Sequence, residues 1–247
     1  MSTALIYRAV VKALAKATAA TTSELQVLDI GAGRGELITL LGKTMRIHAR
    51  ACDCHIDRFA LKDVEITKVD LNQQPLPYAD QSFDVVCCSE VIEHLENYHD
   101  LIRQVHRVLK PGGVFVVTTP NVLNLKSRVR YLFTGFASLF GPLPVKNTNR
   151  ASTGGHITPV PWFYLAHALL DADFTSIDLS TDKQQTTSRI LLVLLGPFLW
   201  LGWVRFMRLE WKKYKTIDAV NEPFVRQHSS IAMLLGRTVV CAATRRP

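Results

Sequence analysis

The residues best suited to hold a ligand lie in the stretch VLDIGAGRGEL, residues 27–37. A short apolar run that carries Asp29 leads into Gly31, Gly33 and Gly35, and a helical pattern begins directly afterwards. Glycine lets the backbone approach a ligand closely and adopt dihedral angles that a side chain forbids. The stretch therefore predicts a ligand-binding turn between a buried strand and a helix.

The spacing of this turn separates two kinds of ligand. A dinucleotide fingerprint needs a third small residue where this chain has Glu36, and a pyrophosphate prefers a helix N-terminus without an acid. The order acid-x-Gly-x-Gly-x-Gly instead favours a ligand that carries an amine or another cation. A nucleotide-dependent oxidoreductase is thus disfavoured, while an ordinary strand–turn–helix with incidental glycines stays open.

Two further acids follow predicted strands. Asp53 ends the strand over residues 46–52, about 20 residues after the glycines, and Asp70 ends the strand over residues 64–71. Ligands of open parallel sheets bind outside the carboxyl ends of the strands, where an acid can accept both hydroxyls of a ribose. The acids predict a nucleoside-type contact, with solvated turn acids as the alternative.

A third group of polar residues follows the strand over residues 83–88. Glu90, Glu93 and His94 are spaced i, i+3 and i+4, so on a helical turn they share one face. Two carboxylates and an imidazole suit a divalent cation with open positions, which would lower the pKa of a hydroxyl. The alternatives are a base without a metal, or a histidine packed at a helix start.

These groups need a sheet to position them. Five predicted strands alternate with helices up to residue 120, which predicts an α/β fold with a doubly wound parallel sheet. With 247 residues, 48% of them apolar, the chain fits a single domain over residues 1–247. Residues 1–22 hold a basic amphipathic helix that lies either on the domain or on a membrane surface.

The five cysteines are predicted to be reduced. Cys87 and Cys88 are adjacent within an apolar strand and the total is odd, so a disulfide framework is disfavoured. Reduced cysteines favour a cytoplasmic protein. If this protein contacts lipid, we expect it to bind peripherally to the inner face of the membrane.

Together these motifs resemble class I S-adenosylmethionine (SAM) methyltransferases, close to the methyltransferase type 11 and ubiquinone-biosynthesis O-methyltransferase groups. The resemblance covers about the first 120 residues. Its motifs are the glycine turn with Asp29, Asp53, Asp70-Leu71, residues 83–95 and residues 109–113. It implies a seven-stranded Rossmann-like sheet whose last strand, over residues 237–244, is antiparallel to the sixth, over residues 175–180.

The resemblance also implies a cofactor, SAM, and the positions that bind it. The glycine turn and Asp29 would hold the methionine part, Asp53 the ribose and Asp70-Leu71 the adenine, while Ser89 would border the transferred methyl group. The implied SAM-binding residues are Asp29, Gly31, Ala32, Gly33, Gly35, Asp53, Asp70, Leu71 and Ser89.

The order Glu-x-x-Glu-His is similar to that of ubiquinone-biosynthesis O-methyltransferases and small-RNA 2′-O-methyltransferases that bind a metal. By this resemblance Glu90, Glu93, His94 and the later His156 would hold a divalent cation such as Mg²⁺. Without a metal, His94, His156 or Glu90 would act as the catalytic base.

Residues 121–155 are predicted to cover the methyl acceptor. The aromatic and basic side chains of this lid suit an acceptor with apolar and anionic parts, although they could also simply pack a lid helix. They are Tyr131, Phe133, Phe136, Phe140, Arg128, Arg130 and Arg150.

An apolar insertion, residues 182–236, is predicted between the sixth and seventh strands. Its run over residues 190–204 spans only about 22 Å as a helix, and Gly196-Pro197 would break it. A broken hairpin or an interfacial helix is therefore favoured over a transmembrane helix. Basic and aromatic residues up to 215 predict contact with an anionic membrane, with a buried cap or a dimer surface as alternatives.

The chain carries a net charge of +8. Because basic residues of the insertion accompany apolar and aromatic residues, we expect this charge to meet an anionic membrane and not nucleic acid. The predicted activity is SAM-dependent O-methylation of a lipid-like, quinone-precursor or lipid-linked small molecule at the membrane surface. The alternative is a non-catalytic SAM-fold protein that acts in membrane or partner assembly.

Overall fold

The computed structural model describes residues 3–18, 23–144 and 155–247. Its centre is a seven-stranded sheet in the order β3-β2-β1-β4-β5-β7-β6, with β7 antiparallel to both of its neighbours. The strands are β1 Leu25–Ile30, β2 Ile47–Asp53, β3 Glu65–Lys68, β4 Phe83–Ser89, β5 Leu109–Pro120, β6 Phe174–Thr181 and β7 Thr238–Arg245. The predicted doubly wound sheet with an antiparallel last strand is confirmed.

Helices cover both faces of this sheet. They are α1 Thr3–Ala17, α2 Glu36–Gly42, α3 Tyr98–Val108, α4 Leu125–Thr134, α5 Trp162–Asp171, α6 Thr186–Leu209, α7 Glu222–Gln227 and α8 Ile231–Leu235. Short 3-10 turns occupy Ile56–Arg58 and Ile92–His94, and a π-helical turn, Glu210–Tyr214, extends α6.

The apolar pattern of each element explains its place. The central strands β1, β4 and β5 are buried almost throughout, as expected for strands covered on both faces. On one face α3 buries Leu101 and Val105 among the side chains of β4 and β5. On the other face α1 buries Val10 and Leu14 in one cluster with α2. Of the two positions expected for the N-terminal helix, the structure therefore shows α1 on the domain.

The residues of Lys110–Gly113 predict the end of the preceding helix and a strand that begins at Val114. Helix α3 ends at Val108, but β5 already starts at Leu109, which pairs with Phe83, while Val85 pairs with Val114. The residues between them form a bulge that contains Gly112 at φ 75°. The predicted end of the helix is therefore confirmed and the predicted start of the strand is wrong, because pairing of Leu109 with β4 keeps the segment in the sheet.

The expected break of the insertion at Gly196-Pro197 is also wrong. One helix, α6, runs through Pro197 for 24 residues, a length of about 36 Å. Pro197 and Val193, whose carbonyl loses its helical donor, both lie on the exposed side of α6. The packed side therefore keeps its backbone hydrogen bonds.

Helix α6 lies along the domain. Leu191 and Leu199 pack against Leu125 of α4 and Leu234 of α8. Near its far end, Trp203 and other aromatic side chains of α5 and α6 line a cavity of about 330 Å³. By length and composition alone, Thr186–Tyr214 could cross a bilayer. Both ends of α6 contact the same domain, so one long side of the helix is exposed along its length.

Truncating the packed face of α1 tests whether this helix is part of the core. Leu14→Ala should lower the free energy of unfolding by about 2–5 kcal/mol, because it leaves a cavity against the sheet. Denaturant unfolding followed by circular dichroism measures the change. Lys12→Ala on the exposed side of α1 is the matched control, with an expected change below about 0.5 kcal/mol. Equal stabilities of the two variants would contradict the packing of α1.

Candidate functional site

The glycine turn joins β1 to α2 at the carboxyl edge of the sheet. Gly31 has φ 73°, and Val91 approaches so closely that a Cβ at this position would lie 2.2 Å from its Cγ2 atom. Gly33 has φ 55°, and a Cβ built there would meet no atom within 4 Å. The turn therefore presents bare backbone to open space, as a closely held ligand requires.

Asp53 ends β2 beside this turn. Its Oδ2 accepts a hydrogen bond from the Gly33 N–H at 2.9 Å, and its Oδ1 accepts one from the His55 N–H at 2.8 Å. Each oxygen keeps a further lone pair, so the carboxylate can also accept hydroxyl groups. Asp53 thus fixes the shape of the turn and faces the same open space.

Asp29 lies buried beneath the turn, at the end of β1. Burial, together with the nearby charge of Asp53, raises the pKa of its carboxyl to about 8. An ionised Asp29 is therefore costly unless a cation comes close. This environment suits a ligand that brings positive charge to the turn.

The remaining predicted SAM contacts are distributed along the same edge. Asp70 lies in the turn after β3, where its carboxylate accepts hydrogen bonds from the Asn72 N–H and the Gln73 side chain. Leu71 is half-buried next to it. Ser89 ends β4, and its hydroxyl oxygen is buried with no hydrogen-bond partner among the described residues. The open glycine backbone, the buried acid and this unpaired hydroxyl fit a polar, cationic cofactor such as SAM.

Glu90 and Glu93 do not share the helical face expected from their spacing. Glu90 has φ 58°, and only Ile92–His94 form a 3-10 turn. The Glu90 carboxylate accepts a hydrogen bond from the Thr118 hydroxyl at 3.0 Å, whereas Glu93 accepts one from Thr119 at 3.3 Å. The expected single helical turn is wrong, because Glu90 has a left-handed backbone conformation at the strand end and lies outside the 3-10 turn that contains Glu93.

Glu93, His94 and His156 come together in the structure. One potential ligand atom of each lies within 4.8 Å of the others, and the two imidazole rings are 4.7 Å apart. Oε1 of Glu93 and Nδ1 of His156 are buried with no hydrogen-bond partner among the described residues. Glu90 is not a member of this group. The unpaired buried atoms of Glu93 and His156 can bind either a proton or a cation.

The protonation of this cluster follows from its burial. Burial, and then the charge of Glu90, raises the pKa of Glu93 well above its ordinary value. Burial, and then the neighbouring His94, lowers the pKa of His156 to about 4. Burial also raises the pKa of Glu90 to about 7. Burial therefore favours the neutral forms of both the Glu93 carboxyl group and the His156 ring.

A larger cavity of about 710 Å³ adjoins the cluster. Apolar side chains of α4 and of the chain around it form most of its wall, and His156 lies in the same wall. Of the predicted lid residues, Arg128, Tyr131, Phe136 and Phe140 contribute to this wall, whereas Phe133 and Arg130 do not. Arg150 lies outside the described residues.

Sequence patterns did not indicate three residues of the site. Thr118 and Thr119 hold the two glutamates, and their position at the end of a predicted strand was the available signal. Tyr7 of α1 is half-buried among Asp29, Glu36, Glu90 and Asp53, and its burial and these charges raise its pKa. No local pattern places α1 over the glycine turn.

Comparison with known proteins supplies independent information on this site. The profile of the family described as "Methyltransferase domain" matches residues 4–179. A probable SAM-dependent methyltransferase of Mycolicibacterium smegmatis is 38% identical over 100 residues, which are 38% of this chain and 38% of the relative. A ubiquinone biosynthesis O-methyltransferase of Rickettsia typhi is 31% identical over 117 residues, covering 45% and 46% of the two chains. The matched regions thus span about half or less of these relatives.

Solved structures extend the likeness of fold to the whole chain. A SAM-dependent methyltransferase from Archaeoglobus fulgidus superposes with a TM-score of 0.57 at 17% identity, covering 97% of this chain and 94% of that protein. At this identity the comparison shows the fold alone.

Binding of SAM should release a proton. At pH 7 Asp29, with a pKa of about 8, is mostly protonated, and a cationic ligand at the turn favours its ionised form. Calorimetric titration in buffers of different ionisation enthalpy should therefore detect close to one released proton per SAM, falling towards zero above about pH 9. Asp29→Asn keeps the size of the side chain and should abolish this release. A buffer-dependent enthalpy equal in both proteins would contradict this role of Asp29.

Proposed function

Because this chain belongs to the class I SAM-dependent methyltransferases, we propose that it methylates an oxygen atom of a lipid-like small molecule at a membrane surface. A quinone precursor or a lipid-linked molecule belongs to this class of acceptor. The observation that carries the proposal is the cavity of about 710 Å³, which is lined mainly by apolar side chains and has His156 in its wall.

The names of relatives agree with such an acceptor. They include a ubiquinone biosynthesis O-methyltransferase and a demethylmenaquinone methyltransferase, enzymes named for quinones. The aromatic rings of Tyr131, Phe136 and Phe140 would contact the apolar part of the acceptor. Arg128, in the same wall, would lie near a polar or anionic group of the acceptor.

SAM supplies a methyl group bound to a positively charged sulfur. The chain then has to hold this group in line with the acceptor oxygen, since near-attack geometry is the main source of rate in such displacements. The glycine turn, Asp53 and Ser89 would hold the donor at the edge of the sheet. The cavity beside His156 would hold the acceptor on the opposite side of the methyl group.

The two histidines are positioned to accept the hydroxyl proton. Nδ1 of His94 donates to the Gly155 carbonyl at 3.1 Å, which fixes the orientation of the ring. His156 is neutral near pH 7 because burial lowers its pKa to about 4. Its weak basicity favours His94 as the proton acceptor, with His156 orienting the hydroxyl group.

In the alternative arrangement, Glu93, His94 and His156 would hold a divalent cation such as Mg²⁺, and the histidines would then be ligands and not bases. The unpaired Oε1 of Glu93 and Nδ1 of His156 support this second role, since buried polar atoms usually have partners. A cation at this position would lower the pKa of the acceptor hydroxyl group.

Removal of one ligand tests the cation. Glu93→Gln should weaken Mg²⁺ or Mn²⁺ binding by about tenfold or more, measured by calorimetric titration of the metal alone. Glu96→Gln, at an exposed position nearby, is the matched control and should bind as the wild-type protein does. Methyl transfer that survives both chelation and Glu93→Gln would refute a catalytic cation.

Transfer of labelled methyl groups tests the activity. The protein is incubated with labelled SAM and detergent-dispersed lipid, glycolipid and quinone-precursor fractions, and we expect label in an apolar fraction. Asp53→Asn removes the carboxylate and should lower both SAM affinity and transfer by about tenfold or more, because a charged hydrogen-bond acceptor is lost. SAM binding without transfer to any fraction would favour the non-catalytic alternative.

The exposed side of α6 would bring the enzyme to the membrane. Leu194, Phe198 and Leu201 are all more than 60% exposed, and Arg205 and Arg208 follow on the same side of the helix. Apolar and aromatic residues next to basic ones suit the headgroup level of an anionic leaflet. Such a site of action agrees with an acceptor that resides in the lipid.

A further inference from the structure

A second exposed apolar surface lies at the end of α4. The segment 131–136, here called the α4 tip, is exposed at every position. Leu132 is 76% and Phe133 79% exposed, and Tyr131 and Phe136 are 61% and 41% exposed. Soluble monomers rarely leave contiguous large apolar side chains in water unless the patch binds something.

The start of α4, the helix that carries the α4 tip, is fixed against α6. Leu125 at the start of α4 packs against Leu191, Leu192 and Leu199 of α6. The backbone N–H of Lys126 donates to the hydroxyl of Ser188, which joins the first turns of the two helices. The two helices that carry the exposed apolar side chains are therefore direct neighbours at their first turns.

The charges near this surface are strongly one-sided. Residues 186–215 contain six basic side chains and one acidic side chain, and residues 121–144 contain three basic side chains and no acidic one. The positive charge on both segments is complementary to anionic lipid headgroups. A two-fold pairing of this surface with a second copy would instead bring like charges together.

The α4 tip also forms the rim of the larger cavity. Tyr131 and Phe136 line the cavity of about 710 Å³ and are exposed as well. Leu132 and Phe133 lie between them in sequence but outside the cavity wall. One short segment thus carries both the cavity mouth and the most exposed apolar side chains of α4.

We propose that the α4 tip inserts into an anionic bilayer beside α6, so that the methyl acceptor enters the cavity directly from the lipid between Tyr131 and Phe136. The inference rests on the proposed function, which it deepens by assigning the route of the acceptor. Leu132 and Phe133 act as lipid anchors, while Tyr131 and Phe136 form the portal.

Vesicle partitioning of the full chain tests the anchors. The probes are vesicles of phosphatidylcholine alone and of phosphatidylcholine mixed with phosphatidylglycerol. Leu132→Ser/Phe133→Ser should lower the partition coefficient on the mixed vesicles by about tenfold or more, since burial of each large apolar side chain contributes strongly to partitioning. Val220→Ser removes a 67% exposed apolar residue outside both helices and should bind as wild type does.

Insertion itself is tested by Phe133→Trp with lipids brominated on their acyl chains. Fluorescence quenching above that of the wild-type protein, with its native tryptophans, supports the proposal. Wild-type partitioning of the tip variant, with loss only in Phe198→Ser/Leu201→Ser, would show that α6 alone contacts lipid and would overturn it. A wild-type dimer in sedimentation that the tip variant abolishes, without vesicle binding, would also overturn it.

Two controls separate failure of this inference from failure of the proposed function. SAM titration of each variant reports an intact fold and cofactor site. Methyl transfer to the detergent-dispersed fractions needs no bilayer, so it should stay within about twofold of wild type in Leu132→Ser/Phe133→Ser. The same variant should transfer at least about tenfold more slowly when the labelled fraction is supplied in mixed vesicles.

Discussion

The parallel register of β1 with its neighbours is the constraint on which the rest of the site depends. Ile30 pairs with both Cys52 and Cys88, and Ser89 pairs with Thr118. The glycine turn, Asp53 and Glu90 therefore leave the sheet at one level, although they are distant in sequence. The hydrogen bond from Gly33 to Asp53 then joins two of these strand ends. A shift of one residue in register would turn each of these side chains to the other face.

Buried acids give this edge its chemical character. Asp29 and Glu93 are almost inaccessible to water, and burial raises the pKa of each. A carboxyl group in such surroundings keeps its proton until a positive charge replaces it. The ionised forms of these two buried acids therefore lack compensating charge, and a cationic ligand would supply it. Titratable groups whose pKa values are shifted by burial and by nearby charges are common at binding sites.

Helix α6 has one apolar side that packs against the domain and another that is exposed. Its inner side packs against α4 and α8 through Leu191, Leu192 and Leu199. Its outer side, with Val193 81% exposed and Phe198 74% exposed, has no such partner among the described residues. Exposure of this much apolar surface is unfavourable in water and favourable at a lipid boundary. The same contacts hold the start of α4, a helix that contributes Arg128 and Tyr131 to the wall of the larger cavity, beside α6.

The sequence alone determined the features that depend on local spacing. These are the glycine turn, the alternation of strands and helices, and the placement of Asp53 at a strand end, because periodicity and glycine act over a few residues. Only the tertiary structure decided the features that depend on distant contacts. The left-handed backbone of Glu90 placed it outside the turn of Glu93, α6 packed against α4 and α8 as one continuous helix through Pro197, and α1 brought Tyr7 to the turn. Long-range packing selects among local conformations that differ by only a few kcal/mol, and no short pattern records that choice.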